Sequence, residues 1–338
     1  LYRPKKAVYG LRRSPRLWGV CRDGKMRSFE IEVEEGGETI KLQLRQLDSE
    51  PNLWRLEKLG SEDENREMNI KYGLVMTYVD DILIAAPPKI AEAVARKFQE
   101  TWTTSCPETV GEVPIRFLGM EISTSTGIDG RCIWHVTQES YIKDMVKRQE
   151  TEVSSKRIPI TKDQASMSPD PQTPTLEAVR KCQKAVGELL WVLTRKRPDL
   201  MYSLSRLGSN VTKATMSVLE AADQVRGYLL RTCAEGLAYQ DDGQEPIKIQ
   251  VFSDASYAPG DEESIGSFVI TLNRSPIFWR AGRQHLVTLS TAEAELAELV
   301  EAMGAGESVA AVVDELVGPV QRGAFTDSQS ALDRKSVV

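Results

Sequence analysis

Histidine is almost missing: His135 and His285 are the only two in 338 residues. A histidine triad or a His-rich metal centre is thereby disfavoured, and any acid–base or metal chemistry falls to carboxylates. Cysteine is scarce and scattered. Cys21, Cys106, Cys132, Cys182 and Cys233 are odd in number and form no C-x-x-C pair, which argues against a disulfide framework or a zinc site and for a reducing, intracellular compartment. No apolar run approaches the length of a membrane span, no signal-peptide pattern opens the chain, and no internal repeat is evident. The first residue is Leu1, so the chain is expected to be a piece of a longer protein.

What is present is ordinary in bulk: 41% hydrophobic and 27% charged residues, enough chain for two or three domains. Net charge is −6, but its distribution says more than the sum. Residues 1–27 hold nine Lys or Arg against the single acid Asp23, with Tyr9 and Trp18 interleaved. Such a block suits a phosphate backbone with stacked bases, or equally a solvated basic face. Residues 28–70 then turn acidic, with twelve Asp or Glu against five Lys or Arg.

The stretch that organises the chain is Gly73-Leu-Val-Met-Thr-Tyr-Val-Asp-Asp-Ile-Leu-Ile-Ala-Ala86. Asp80 and Asp81 interrupt an otherwise apolar run that reads as two short strands. A carboxylate pair inside a buried strand would cost several kcal/mol, roughly, so the pair belongs at a hairpin tip. There it is either an exposed turn or a Mg²⁺ site in which the cation offsets the mutual repulsion.

Around this hairpin the periodicities predict a mixture of α+β and α/β organisation. Phe29–Val33 and Ile40–Leu44 alternate with period two and predict a hairpin exposed on one face, with residues 60–68 a polar loop. Ile90, Val94 and Phe98 predict an amphipathic helix after Pro87-Pro88. Residues 115–123 and 132–136 read as strands around a Gly127–Gly130 turn, and 141–149 as a short basic helix. Residues 163–174 are the most linker-like, and Thr173-Pro174 suits the start of a long helix closed by Arg195-Lys196-Arg197-Pro198. A helix over 217–232 follows. From Ile247 come a strand ending on Asp254, a hairpin over 266–280, helices over 291–303 and 305–316, a short strand to Asp327, and a helix from Ser328.

Acids at the carboxyl ends of α/β strands lie where such sheets bind ligands. Asp254 and Asp327 are so placed, and Glu295 lies on the intervening helix. Taken singly each reads as a surface or capping carboxylate, as Glu293 and Glu298 do. Converging, the three would need a cation between them, and two Mg²⁺ could clamp a phosphodiester.

Seven stretches in one order resemble the C-terminal part of a copia-type retrotransposon polyprotein: Tyr9-Gly-Leu-Arg-Arg-Ser-Pro-Arg-Leu-Trp18, Tyr78-Val-Asp-Asp81, Phe117-Leu-Gly-Met-Glu-Ile122, Val186–Trp191 with Arg197–Tyr202, Phe252-Ser-Asp-Ala-Ser, Leu289–Leu296, and Phe325-Thr-Asp-Ser-Gln-Ser-Ala. The resemblance implies a partial reverse transcriptase palm and thumb-like region over 1–150, a helical connection over 151–245, and a ribonuclease H-like domain over 246–338. It implies RNA-directed DNA polymerase and ribonuclease H activities, with Asp80 and Asp81 as palm metal ligands and Asp254, Glu295 and Asp327 as ribonuclease H ligands. Each active site would take two Mg²⁺, with Mn²⁺ as a substitute. Tyr9, Gly10, Arg13, Pro15, Arg16, Tyr78 and Gly119 would meet nucleotide or nucleic acid. The implied partners are RNA template, DNA primer, RNA–DNA hybrid, dNTPs, and the rest of the polyprotein (upstream palm and fingers, integrase), in a cytoplasmic particle or nucleus and away from membranes.

The departures from the family pattern are specific. Arg13 stands where Gln is usual, residues 30–46 look like an insertion, and a further palm Asp and a fourth ribonuclease H carboxylate are expected outside these 338 residues. Polymerase activity is therefore expected to be absent from this stretch alone. The alternative is a catalytically inactive remnant that binds nucleic acid through its basic N-terminal block and residues 195–197.

Overall fold

Period-two alternation from Phe29 to Leu44 becomes the first hairpin of a five-stranded antiparallel sheet. The computed structural model describes residues 10–35, 37–60, 70–149, 153–240, 246–258 and 264–328. Two units separate: Leu1–Thr109 with Ser308–Val320, and Val110–Glu307 with Gln321–Val338. The class is mixed α+β, with sheets that are antiparallel in all but one strand pair among the described residues.

The first unit opens with α1 (Ser14–Met26), entered through Pro15, whose missing N–H costs nothing in a first turn. A meander follows: β1 (Glu30–Glu35), β2 (Glu38–Gln46), β3 (Leu53–Lys58), β4 (Leu74–Tyr78) and β5 (Asp81–Ala85), neighbouring in that order. Phe29, Ile31 and Val33 are buried while Glu30, Glu32 and Glu34 are exposed, as alternation on a half-covered sheet requires. α2 (Pro88–Thr101) buries Ile90, Val94 and Phe98, spaced four apart, against this face. Trp54, Leu42, Leu56 and Val75 complete a core with no exposed surface at those four residues. The polar loop expected over 60–68 lies outside the described residues beyond Gly60.

The second unit begins with β6 (Ile115–Phe117), β7 (Met120–Thr126) and β8 (Cys132–Thr137). The single strand expected over 115–123 is in fact two. Leu118 and Gly119 both take positive φ (52° and 73°), and Phe117 pairs with Met120 across the resulting two-residue turn. Helices α3 (Glu139–Lys147), α4 (Lys162–Ser166), α5 (Leu176–Lys196), α6 (Met201–Asn210) and α7 (Thr215–Arg231) follow. All but α4 bury residues in one apolar cluster, built on Leu189, Leu193, Leu207 and Leu229. The linker-like stretch is tied down at both ends. Thr161 and Gln164 form a capping box on α4, and Asp170 accepts from the backbone and hydroxyl of Thr215 at 2.8 and 2.6 Å, opening α7. Thr175, not Thr173, caps α5, its hydroxyl accepting from the Ala178 N–H.

β9 (Leu237–Gln240) returns to pair with β8. Then β10 (Lys248–Ser256), β11 (Ile265–Leu272) and β12 (Ser275–Arg283) form a meander, α8 (Thr291–Val317) crosses, and β13 (Gln321–Phe325) joins β10 in parallel. Two helices were expected where α8 is continuous for 27 residues. The expected break fell at Gly304, through which the helix runs on; at Gly306 a Cβ would lie 2.6 Å from Val251 Cγ2, so that glycine serves close helix–sheet packing. The helix expected from Ser328 lies outside the described residues.

Residues 195–197 are not the free cationic patch expected. The Lys196 ammonium is buried and donates to the carbonyls of Glu235 (2.9 Å) and Cys233 (3.4 Å). Arg197, also buried, is held by Asp199 and by the Thr232 hydroxyl. Burial, then the neighbouring Arg197 charge, pulls the Lys196 pKa from 10.5 down to about 8. The unfolded chain therefore binds the proton that the folded one has released between about pH 8 and 10.5, so the buried-charge penalty is complete below that window and fades through it. The stability of the parent relative to Lys196→Met is expected to rise from pH 7.5 to pH 10; melting curves of both proteins across that range check it, and a constant difference would contradict a buried, depressed lysine.

Candidate carboxylate sites

The Asp80-Asp81 hairpin forms as a tight two-residue turn. Tyr78 pairs with Asp81, leaving Val79 and Asp80 at the tip, so the turn is Val-Asp and Asp81 opens β5. Tyr78, Asp80 and Asp81 are all exposed. Val79 has φ +54°, a conformation in which a β-branched side chain is strained. Its carbonyl accepts from Trp18 Nε1 at 2.7 Å and from Arg22 Nη1 at 3.2 Å. Trp18 also meets Trp102 edge-on, and Arg22 is buried with its Nε on Asp23. Two members of the basic, aromatic N-terminal block thus turn inward and hold the hairpin tip. Partners about sixty residues apart left no sequence signal for this contact.

Val79 is half-exposed, so its side chain contributes little packing. Val79→Gly is therefore expected to stabilise the first unit by up to about 1 kcal/mol, through relief of the left-handed strain. Urea titration followed by tryptophan fluorescence reads this; a lower midpoint would show that valine itself is needed there.

The other N-terminal candidates remain on the surface. Gly10, Arg13, Pro15 and Arg16 are exposed, with Arg13 at the N-cap of α1, and Tyr9 lies outside the described residues. Gly119 is exposed at its turn in the second unit. Beside it in sequence, Glu121 is structural. Burial opposes its charge, but the Ser140 side chain and the N–H groups of Ser140 and Glu139 hold its carboxyl below the usual range, capping α3.

The second unit brings Asp254, Glu295 and Asp327 together. One carboxylate oxygen from each lies within 4.8 Å of the others, the one such cluster among the described residues. Register explains the pair of aspartates. β10 and β13 run parallel with Phe252 opposite Phe325, rings stacked at 5.1 Å, so Asp254 and Asp327 each follow two residues further on. β10 does not end on Asp254 but continues to Ser256. Glu295 comes from the second turn of α8 and is buried, while both aspartates are exposed. Glu293 instead accepts from the Leu289 N–H at the head of the helix. Glu298 is no surface residue either: it is 3% exposed and accepts from Gln284 at 3.2 Å.

Burial drives the Glu295 carboxyl above its ordinary range, the Ala255 N–H opposes, and the charges of Asp254, Asp327 and Glu298 raise it further. Its Oε2 is buried with no hydrogen-bond partner among the described residues. Three hard oxygen donors, one of them on a buried carboxylate with an unpartnered oxygen, fit a hard divalent cation. Asp80 and Asp81 form no cluster with a third ligating side chain among the described residues.

Comparison with known proteins places this chain beside transposon products. The retrovirus-related Pol polyprotein from transposon RE1 of Arabidopsis thaliana is 25% identical over 322 residues, covering 92% of this chain and 19% of that polyprotein. The putative transposon Ty5-1 protein of Saccharomyces cerevisiae is 27% identical over 228 residues, 65% of this chain and 70% of that protein. The Pol polyprotein from transposon TNT 1-94 of Nicotiana tabacum is 24% identical over 347 residues, 97% of this chain and 23% of the polyprotein. The chain thus spans about a fifth of the RE1 polyprotein. No family model matches it. No helix among the described residues is long and apolar enough to cross a membrane.

Proposed function

This chain is related over most of its length to copia-type retrotransposon polyproteins, and on that premise we propose that it supplies part of a reverse transcriptase and a ribonuclease H acting on RNA–DNA hybrid. The observation that carries the reading is the convergence of Asp254, Glu295 and Asp327, distant in sequence, into one carboxylate cluster. These three would hold Mg²⁺, or Mn²⁺ in its place. Bound there, the cation supplies Lewis acidity toward a phosphodiester and lowers the pKa of water. Glu295, fixed in the helix and stripped of solvent, sets the position of the cluster, while exposed Asp254 and Asp327 present its open side to a strand.

Asp80 and Asp81 would serve the polymerase reaction as palm ligands, with Tyr78 beside them and Arg13 and Arg16 toward template and dNTP. Gly119 would lie near the primer end. RNA template, DNA primer and the remainder of the polyprotein are the partners this reading requires, in a cytoplasmic particle or the nucleus.

The test is cleavage of the RNA strand in an end-labelled RNA–DNA hybrid, with Mn²⁺ and with Mg²⁺. Asp254→Asn is expected to lower the rate by about a hundredfold or more, as loss of one cation ligand does. Cleavage that persists in this variant, or in EDTA, would place the activity elsewhere.

A further inference from the structure

Two donors from one helix meet on a single carbonyl oxygen at the tip of the β4–β5 hairpin. Trp18 Nε1 donates to the Val79 oxygen at 2.7 Å, and Arg22 Nη1 donates to it at 3.2 Å. Trp18 and Arg22 are four residues apart in α1 and so lie on one face of it. A carbonyl oxygen has two lone pairs, and the two donors use both. Each donor is itself anchored. Trp18 lies edge-on to Trp102, the residue that ends α2, with ring centres 5.9 Å apart. Arg22 is buried with its Nε on Asp23 at 2.9 Å, and Asp23 accepts in turn from Gln46 Nε2 at 3.2 Å, at the end of β2.

A hairpin tip open to water needs no such clamp, because its backbone groups can bond to solvent. Here the clamp falls on Val79, at φ +54°, a left-handed state that a β-branched residue resists. The clamped carbonyl belongs to the peptide bond that joins Val79 to Asp80. The plane of that peptide sets the direction in which the Asp80 Cα–Cβ bond leaves the backbone, and Asp81 follows directly as the first residue of β5. Backbone strain held in place by outside donors, immediately ahead of two exposed and adjacent carboxylates, marks a position built for binding.

We propose that Trp18 and Arg22 are positioning residues: by fixing the Val79–Asp80 peptide they aim the Asp80 and Asp81 carboxylates jointly at a divalent cation. The proposal rests on the reading of these aspartates as cation ligands, and adds the residues that set their geometry. It also gives α1 a second role. Arg13 and Arg16, exposed at its start, face template and dNTP on that reading, while its middle holds the carboxylate tip. One helix thereby keeps the two at a fixed separation.

The test labels the full chain with carbonyl-13C valine and 15N aspartate. Val79-Asp80 and Val313-Asp314 are the only Val-Asp steps in the sequence, so an HNCO spectrum holds one peak for the tip and one reference. Asp80→Asn removes the tip peak and so assigns both. Mn²⁺ bound at the tip bleaches its peak. Trp18→Phe keeps a ring beside Trp102 and deletes the donor; it carries the test if Arg22→Met fails to fold. Each variant is expected to shift the metal-free Val79 carbonyl resonance and to raise the Mn²⁺ concentration for half-bleaching about tenfold, as loss of a ligand's supporting partner does. Gly60→Ala, strained at a turn with open space around it, controls for lost stability and should leave both readouts at their parent values. Asp81→Asn keeps the reporter and should resist bleaching. If it does, while Trp18→Phe and Arg22→Met bleach like the parent, the positioning role is overturned and the ligand reading stands. An equal effect in Gly60→Ala would reduce the result to stability and also overturn the proposal. If Asp81→Asn bleaches like the parent, or the parent peak does not bleach, the ligand reading falls and takes the positioning role with it.

Discussion

Glu295→Gln should melt at a higher temperature than the parent chain in EDTA, and at a lower one once Mg²⁺ or Mn²⁺ is saturating. The sign reversal follows from what the cluster does without and with a cation. Metal-free, Glu295 is a buried carboxylate with an unpartnered Oε2, beside Asp254 and Asp327. Glutamine is nearly isosteric, removes the buried charge, and turns a lone-pair oxygen into an amide that can donate to either aspartate. Because Asp254 and Asp327 are exposed, solvent screens the like-charge contact and its relief is worth about 1 kcal/mol, and a unit of this size gains about 2–4 °C for each kcal/mol. On the proposed cation site, metal inverts the balance. A cation at a hundred times its dissociation constant stabilises the folded state by about 2.7 kcal/mol, and the variant forgoes most of that because one of three charged ligands is gone. Differential scanning calorimetry of both proteins, with EDTA and with 10–20 mM Mg²⁺ as roughly bracketing conditions, reads all four values. If divalent metal raises the melting temperature of Glu295→Gln as much as that of the parent, Glu295 is not a ligand. If the variant melts lower in EDTA, the carboxylate is needed structurally and the cluster is not strained.

The local patterns that the sequence displayed were those a single periodicity can carry. The alternation of Phe29 to Leu44, the i, i+4, i+8 stripe of α2 and the Asp80-Asp81 tip each depend on neighbours within a few residues. Asp254 and Asp327 were legible as candidates because each closes a strand-like run, and Glu295 because it lies on the helix between them. Their convergence was not, since it depends on β10 and β13 pairing in parallel across more than seventy residues. Charge misled in both directions. Arg195-Lys196-Arg197 reads as a surface patch, yet Lys196 and Arg197 are buried against backbone carbonyls and Thr232 at the end of α7. Glu298 reads as a surface glutamate, yet Gln284 and Arg280 accommodate it inside. Glycine misled likewise: Gly304 looked like a break where α8 runs on, and Gly119 looked like part of a strand where it completes a turn. For the charges a long-range contact overrode the local preference, and no window along the chain contains that contact, whereas the Gly119 turn is local.

Gly73 is the position in the first unit where the least change should do the most damage. It precedes β4 at φ +111°, a backbone state that side chains resist, and a Cβ there would sit 2.5 Å from both the Ala85 carbonyl oxygen and the Ala86 Cβ. Neither obstacle is the end of a flexible side chain, so β5 itself must move. The Gly73 carbonyl also accepts from the Leu56 N–H at 2.9 Å, which ties the same residue to β3. Gly73→Ala therefore sets backbone strain, a steric overlap and a sheet hydrogen bond against one another, and a loss of about 3 kcal/mol or more is expected. Gly60→Ala provides the comparison: its φ is +76°, and nothing lies within 4 Å of the added Cβ. That variant should lose only the strain, about 1 kcal/mol. The difference between the two, from urea titrations of the tryptophan signal, isolates the contact with β5; equal losses would mean that β5 yields freely and is not locked to β4. The consequence reaches the hairpin tip, because Gly73 pins one end of the β4–β5 pair while Trp18 and Arg22 hold Val79 at the other. With the Gly73 end displaced, the hairpin that carries Asp80 and Asp81 at its tip loses its register with the rest of the sheet.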